Sequence, residues 1–196
     1  MSCRGRWVLI VRSDGARLFR GSRRTHGPIE DFTADDAGYA GLRRNLERAA
    51  RSPIHLLVDL IEEDFQRETV PHVHSRTRRS VLATRSARLF PGMRYISARR
   101  EGRTAQGRRD DRILYSAILR PERIEPWLDA LRGSDVAGIH SLPIVSAGLL
   151  PFLGSGAGRV LLVTENGERH LRQTLFEDGR LALSRLAALP LSLIHI

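Results

Sequence analysis

Two stretches far apart in the chain spell the same hairpin. Residues 8–20 (VLIVRSDGARLFR) align without a gap with residues 160–172 (VLLVTENGERHLR). Six of 13 positions are identical, and Asp14-Gly15 stands over Asn166-Gly167. Asp-Gly and Asn-Gly are the dipeptides that most readily reach the positive φ angles of a two-residue β-turn, so each stretch predicts a tight hairpin. A hairpin, an α/β body and the same hairpin again is the order of a duplicated fold. Duplication requires each hairpin to head its own sheet or half-sheet; one continuous antiparallel barrel would contradict it.

The residues between the hairpins alternate strand and helix periods. Residues 29–32 read as a third strand. Residues 37–51 read as a helix with Leu42, Leu46 and Ala49 on one face and Asp35 or Asp36 near its N-cap. The near-continuous apolar run 54–60 predicts a central strand covered on both faces. An extended segment at 65–73 and a helix at 75–90, stopped by Pro91-Gly92, lead to strands at 94–98 and 113–119 around an arginine-rich loop. Next come a helix at 121–132 with Ile124, Leu128 and Leu131 inward and Pro126 near its first turn, a short strand at 137–140 and a helix at 143–153. A glycine-rich connector, 154–158, precedes a meander of strands at 160–164, 169–176 and 181–186 that turns at Asn166-Gly167 and Asp178-Gly179.

Composition narrows the chemistry. With 196 residues, 41% hydrophobic and only 6% aromatic, the chain can form one domain or two small lobes whose cores are aliphatic faces of sheets and helices. All 32 basic residues are arginine. The absence of lysine excludes a phosphate loop ending in Gly-Lys-Ser/Thr, a kinase strand lysine and Schiff-base catalysis. The net charge of +10 is a weaker guide to nucleic acid than usual, because complete replacement of lysine suggests a bias acting on the whole surface. Cys3 is the single cysteine, which leaves no internal disulfide and no thiolate zinc cluster and fits a reducing compartment. The apolar stretch 7–11 is too short for a signal-peptide core. Residues 136–158 carry no charge apart from His140, but Pro143, Pro151 and five glycines interrupt them, so they read as a buried strand and helix and not as a membrane span.

After the strand at 54–60 the chain runs Asp59-Leu60-Ile61-Glu62-Glu63-Asp64-Phe65 into Val70-Pro71-His72-Val73. Beyond the next helix and two strands comes PERIEPWLDAL at 121–131, ahead of residues 139–149. Over residues 7–190 this order of elements resembles the actin-like cytoplasmic domains of bacterial type II secretion and type IV pilus assembly platforms. The resemblance implies an α/β fold of duplicated ribonuclease-H-like, actin-like ATPase type, with mixed sheets and helices and truncated at the C-terminus. Its first lobe would span residues 1–153 and the start of a second lobe residues 159–190. Residues 191–196 read as adapter-derived read-through and are given no function. The implied role is a non-catalytic or weakly nucleotide-binding assembly module. It would act through a protein partner of the platform or as a homodimer, in the cytoplasm at the inner face of the inner membrane, reaching the membrane only through a missing C-terminal part.

Actin-like ATPases hold nucleotide between two hairpin loops, so the resemblance assigns Asp14, Gly15, Asn166 and Gly167 to that role, with ATP and Mg²⁺ as the only implied cofactor. The second turn lacks an acid and neither turn is followed by Gly-Ser/Thr, which points to a degenerate site; an ordinary hairpin turn is the competing reading of each. The alternative function is a ribonuclease-H-like nuclease or another nucleic-acid-binding enzyme. It requires Asp14, Asp59 and a third carboxylate to converge, with Glu62, Glu63, Asp64, His55, His72 and His74 as further candidates. Asp14 lies in a turn, whereas such enzymes place their first carboxylate mid-strand. A basic surface is expected from Arg76, Arg78, Arg79, Arg85 and Arg88 on the helix and from Arg99, Arg100, Arg103, Arg108, Arg109 and Arg112 of the loop. With only Phe90 and Tyr95 nearby to stack bases, a protein partner is favoured over nucleic acid.

Overall fold

The structure is a computed structural model that describes residues 6–21, 26–47, 52–73, 75–105, 107–154, 157–167 and 170–188. In chain order the strands and helices are β1 (Arg6–Arg12), β2 (Gly15–Gly21), β3 (His26–Thr33), α1 (Asp36–Glu47), β4 (Ile54–Asp59), β5 (Glu63–Val70), α2 (Ser75–Leu89), β6 (Ile96–Arg103), β7 (Asp111–Ile118), α3 (Glu125–Ala130), β8 (Val136–Ser141), α4 (Leu142–Ser146), β9 (Arg159–Asn166), β10 (His170–Glu177) and β11 (Arg180–Ala188). Residues up to Ile61 and from Glu122 onward pack as one unit, and Glu62–Pro121 form a second.

In the first unit β1 pairs antiparallel with β2 and parallel with β4, and the five-stranded sheet runs β3-β2-β1-β4-β8. Period-two alternation decides its faces. Leu9, Val11, Ala16, Leu18 and Leu56 have no exposed surface, whereas Val8, Ile10, His55 and Leu57 on the opposite face are half-buried. Removing each of these leucines from water contributes about 1.5–3 kcal/mol. Leu42 and Leu46 of α1 and Trp127 and Ala130 of α3 complete the buried layer, with Tyr39 edge-on to Trp127 at 4.6 Å. Helix α1 starts where expected because Asp35 Oδ1 accepts the Gly38 N–H at 2.8 Å and caps it. Its C-terminal end beyond Glu47 lies outside the described residues, as do His74 and the tail 189–196.

A separate antiparallel sheet, β11-β10-β9, carries the second hairpin, so the two hairpins do head different sheets. Their registers differ, however. Leu9 pairs with Leu18, but Leu161 pairs with Leu175, and Asn166 still pairs with His170. The second strand therefore runs straight through the position where the alignment puts the turn. Asn166 is held in the strand by a buried hydrogen bond described below. The first turn differs from expectation as well. Gly15 is not among the residues with positive φ. It is required because a Cβ there would run into the Phe32 carbonyl oxygen of the neighbouring strand. Asp178 (φ 49°) and Gly179 (φ 73°) do form the expected turn with both residues left-handed.

Prolines reshape two expected helices. Residues 121–132 split into a 3₁₀ turn, Pro121–Arg123, and α3 with Pro126 in its first turn. Residues 143–153 become the short α4 and then the 3₁₀ segment Ala147–Leu153, which contains Pro151, a residue with no N–H to give. In the second unit β7 lies between β5 and β6, and Val70, Phe90, Ile113, Tyr115 and Ala117 form a core with Leu82 and Leu89 of α2 against it. Strand β6 runs to Arg103, five residues past its expected end, so Arg99, Arg100 and Arg103 belong to a strand and not to a loop.

Candidate functional site

The C-terminal ends of β1, β4 and β9 converge in the first unit. Parallel pairing sets Arg12 beside Asp59 at the tips of β1 and β4. The turn after β1 brings Asp14 against Gly167, where a Cβ would collide with the Asp14 carboxylate. The two hairpin turns therefore face each other. Between and beside them lies a cleft of about 560 Å³ lined by Arg12, Asp14, Arg17, Asp31, Asp59 and Glu165 among others. Gly15 and Gly167 line it too, whereas Asn166 is only 1% exposed.

Each arginine at this end of the sheet already has a carboxylate. Arg17 and Asp31 are register neighbours on β2 and β3, and the guanidinium grips the carboxylate twice, Nε to Oδ1 at 2.5 Å and Nη2 to Oδ2 at 2.8 Å. That hydrogen bonding holds the Asp31 carboxyl below its ordinary range and raises the arginine. Arg12 Nε stands 3.5 Å from Asp14 Oδ1. The third pair is buried: Arg172 of β10 and Asp59 are 3% and 1% exposed. Arg172 donates from Nε to Asp59 Oδ1, from Nη2 to the Leu60 carbonyl at 2.7 Å and from Nη1 to Ser184 Oγ at 3.1 Å. Asn166 Nδ2 donates to the Asp59 main-chain carbonyl at 2.8 Å. The end of β4 is thus clamped to the second hairpin through both its side chain and its backbone. Arg12 Nε, Ser13 Oγ and Asn166 Oδ1 are buried and make no hydrogen bond among the described residues, so Arg12 and Asp14 form an ion pair without one.

Of the four residues expected at a nucleotide site, Asp14, Gly15 and Gly167 line this cleft and Asn166 is buried beneath it, while Arg172 was not foreseen. The signal for Arg172 was Asp59 itself: a carboxylate closing the buried run Ile-His-Leu-Leu-Val needs a cation or a donor.

The nuclease reading lacks its geometry. Asp59 is committed to Arg172, and among the described residues no group of three or more His, Cys, Asp and Glu side chains could hold a metal ion. His55 instead faces His140, Nδ1 to Nε2 at 3.4 Å. In the second unit several of the predicted basic residues are compensated locally. Arg85 and Arg88 both reach Glu68. Arg100 and Arg103 each lie 3.5 Å from Asp111, which His72 also contacts at 3.0 Å. Burial alone would raise the Asp111 carboxyl, but the His72 hydrogen bond and the charges of His72, Arg100 and Arg78 outweigh it and bring the group below its ordinary value. Arg79, Arg99, Arg108 and Arg109 are exposed.

No protein-family model and no curated protein matches the chain by sequence. Solved structures do match by shape. The PilM–PilN type IV pilus biogenesis complex superposes with a TM-score of 0.63 at 14% identity, over 92% of this chain and 60% of the other. The cytoplasmic domain of EpsL, an inner-membrane component of the type II secretion system of Vibrio cholerae, gives 0.54 at 10% identity, over 94% and 71%. A Bacteroides thetaiotaomicron protein of actin-like ATPase fold and unknown function gives 0.52 at 9% identity, over 95% and 71%. The chain has the actin-like ATPase fold. It spans 60% of the PilM–PilN chain it matches. Among the described residues no helix is long and apolar enough to cross a membrane.

The actin-like fold implies ATP with Mg²⁺ between the facing turns, and the residues present do not fit a triphosphate. The cleft lining offers two guanidinium groups, both matched by Asp14 and Asp31. Polyphosphate would have to displace carboxylates from their arginines.

Proposed function

We propose that this chain is an assembly module of a secretion- or pilus-type system that works through protein contacts and not through nucleotide turnover. The observation that carries the reading is that both arginines lining the cleft are paired, Arg12 with Asp14 and Arg17 with Asp31, beside a third, buried pair of Asp59 with Arg172. In an actin-like ATPase this is where phosphates would be held, and a cleft whose cations are already neutralised has little left to attract them. Transfer of a phosphoryl group also needs a cation aimed at the γ-phosphate and a residue that positions the attacking water. Lysine is absent from the chain. The buried Asp59–Arg172 clamp instead fixes the second hairpin on the first sheet, as a rigid scaffold for partners requires. The likeness to pilus and secretion components supports a place at an assembly platform on the cytoplasmic face of a membrane, with another protein or a second copy as the partner. The test is direct: phosphate release from ATP and Mg²⁺ should stay at the level of a protein-free blank. Steady release that Asp14→Ala abolishes would refute the proposal.

A further inference from the structure

The arginine excess is not spread over the whole surface. Residues 62–121 contain fourteen arginines against seven acidic residues, so this second unit carries +7 of the chain's +10. Its sheet, β5-β7-β6, has two edges of opposite character. The β5 edge brings Glu63, Asp64 and Glu68 and is mostly half-buried, whereas Ser97, Ala98, Arg99 and Arg100 of β6 are all exposed. Main-chain direction along β6 follows from one bond. The Tyr95 carbonyl accepts the Ile118 N–H at 3.0 Å. Antiparallel alternation then turns the Ser97 and Arg99 main-chain groups toward β7 and leaves those of Ile96, Ala98 and Arg100 pointing away from the sheet. The straight edge ends at Glu101, where the register shifts between Arg100 and Gly102.

We infer that this edge, Ile96–Arg100, receives an extended acidic segment of a partner protein as an added strand. Three outward N–H and C=O pairs supply the main-chain bonds of strand addition. Arg99 and Arg100 project to opposite faces of the sheet; Arg100 already lies 3.5 Å from Asp111, so exposed Arg99 is the cation that meets glutamates alternating along one face of the incoming strand. Ser97 and Ala98 are small enough to let the backbone approach. The same arginines repel a second β6 edge, which makes the site selective for an acidic strand. Nucleic acid is disfavoured because stacking surfaces are missing: Phe90 and Tyr115 are buried, and the Tyr95 ring lies 5.5 Å from the Arg94 guanidinium. The inference rests on the reading that the chain acts through protein contacts, but it uses no feature of the cleft.

The experiment uses the full chain and a labelled octapeptide of alternating glutamate and valine, read by fluorescence anisotropy. A lysine–valine octapeptide, a deoxythymidine oligonucleotide and vesicles containing phosphatidylserine serve as competitors. Ala98→Pro removes an outward donor without breaking the ladder to β7, so it should weaken the glutamate peptide by about tenfold or more while leaving the unfolding temperature in place. Arg99→Glu with Arg100→Glu should reverse the preference toward the lysine peptide. Bound peptide should slow amide exchange at Ile96, Ala98 and Arg100. The inference is overturned if the glutamate peptide does not bind, if Ala98→Pro leaves its affinity unchanged, or if the oligonucleotide or the vesicles displace it at equal charge. Self-association that Ala98→Pro abolishes would overturn it in favour of a second copy. Any of these outcomes leaves the reading of the cleft intact, whereas ATP turnover would sink that reading and leave the edge untouched.

Discussion

Asp59 and Arg172 stabilise the fold only as a pair. Both are almost fully buried, so removing one leaves the other as an uncompensated charge. Asp59→Ala is expected to cost about 3–5 kcal/mol, while replacing both with apolar residues of similar volume should recover much of that loss. Urea unfolding midpoints of the two singles and the double decide it; equal loss in the double and in each single would contradict the buried-pair account. Asp31 behaves differently because it and Arg17 are accessible to water. Its carboxyl ionises more readily folded than unfolded. The pair's contribution is therefore fully present above the unfolded value of about 3.9 and is lost as pH falls through the lower folded one. The exposed setting limits this to about 1 kcal/mol or less. Stability measured between pH 2 and 5 should fall less steeply in Arg17→Gln than in the wild type, and identical slopes would show that the pair does not form in solution.

Glycines separate the two hairpins at the scale of the element. Gly179 sits at φ 73°, a backbone conformation that asparagine tolerates better than alanine. Gly15 has ordinary φ but no room for a Cβ beside Phe32. Gly179→Asn should therefore be milder than Gly179→Ala, while Gly15→Asn and Gly15→Ala should both cost about 1–3 kcal/mol through overpacking. Thermal unfolding of the four variants tests this, and rescue of Gly15 by asparagine would restore the turn-geometry explanation. The dipeptide Asp14-Gly15 made the hairpin legible in the sequence and hid the reason for its glycine. The two core strands were readable because the apolar run at 7–11 is continuous and that at 54–60 nearly so. At 121–132 Pro126 already signalled a late helix start, whereas at 143–153 the change from α4 to a 3₁₀ segment containing Pro151 was not readable in an apolar pattern that looks continuous. The length of β6 was also hidden, because Arg99, Arg100 and Arg103 are paired across the sheet through a main-chain ladder that leaves no trace in side-chain pattern.

For the whole molecule, the actin-like architecture was legible as an order of elements, but the chemistry of its cleft was not. Nothing in local sequence says that Asn166 reaches back to Asp59 or that Arg172 lies beneath it; those contacts span more than 100 residues and exist only after the second sheet docks. The same is true of charge: a uniform arginine bias is visible by counting, whereas its concentration in residues 62–121 emerges once the fold divides the chain. The central claim is that the facing turns are neutralised from within. Its most direct test is thermal unfolding with and without ATP and Mg²⁺, comparing the wild type with a variant carrying Asp14→Asn and Asp31→Asn, which frees Arg12 and Arg17. Ligand present at about 100 times its dissociation constant stabilises by about 2.7 kcal/mol, several degrees for a chain of this size. The wild type should show no shift at millimolar nucleotide and the variant a clear one. A rise of several degrees in the wild type, lost in the variant, would contradict the account.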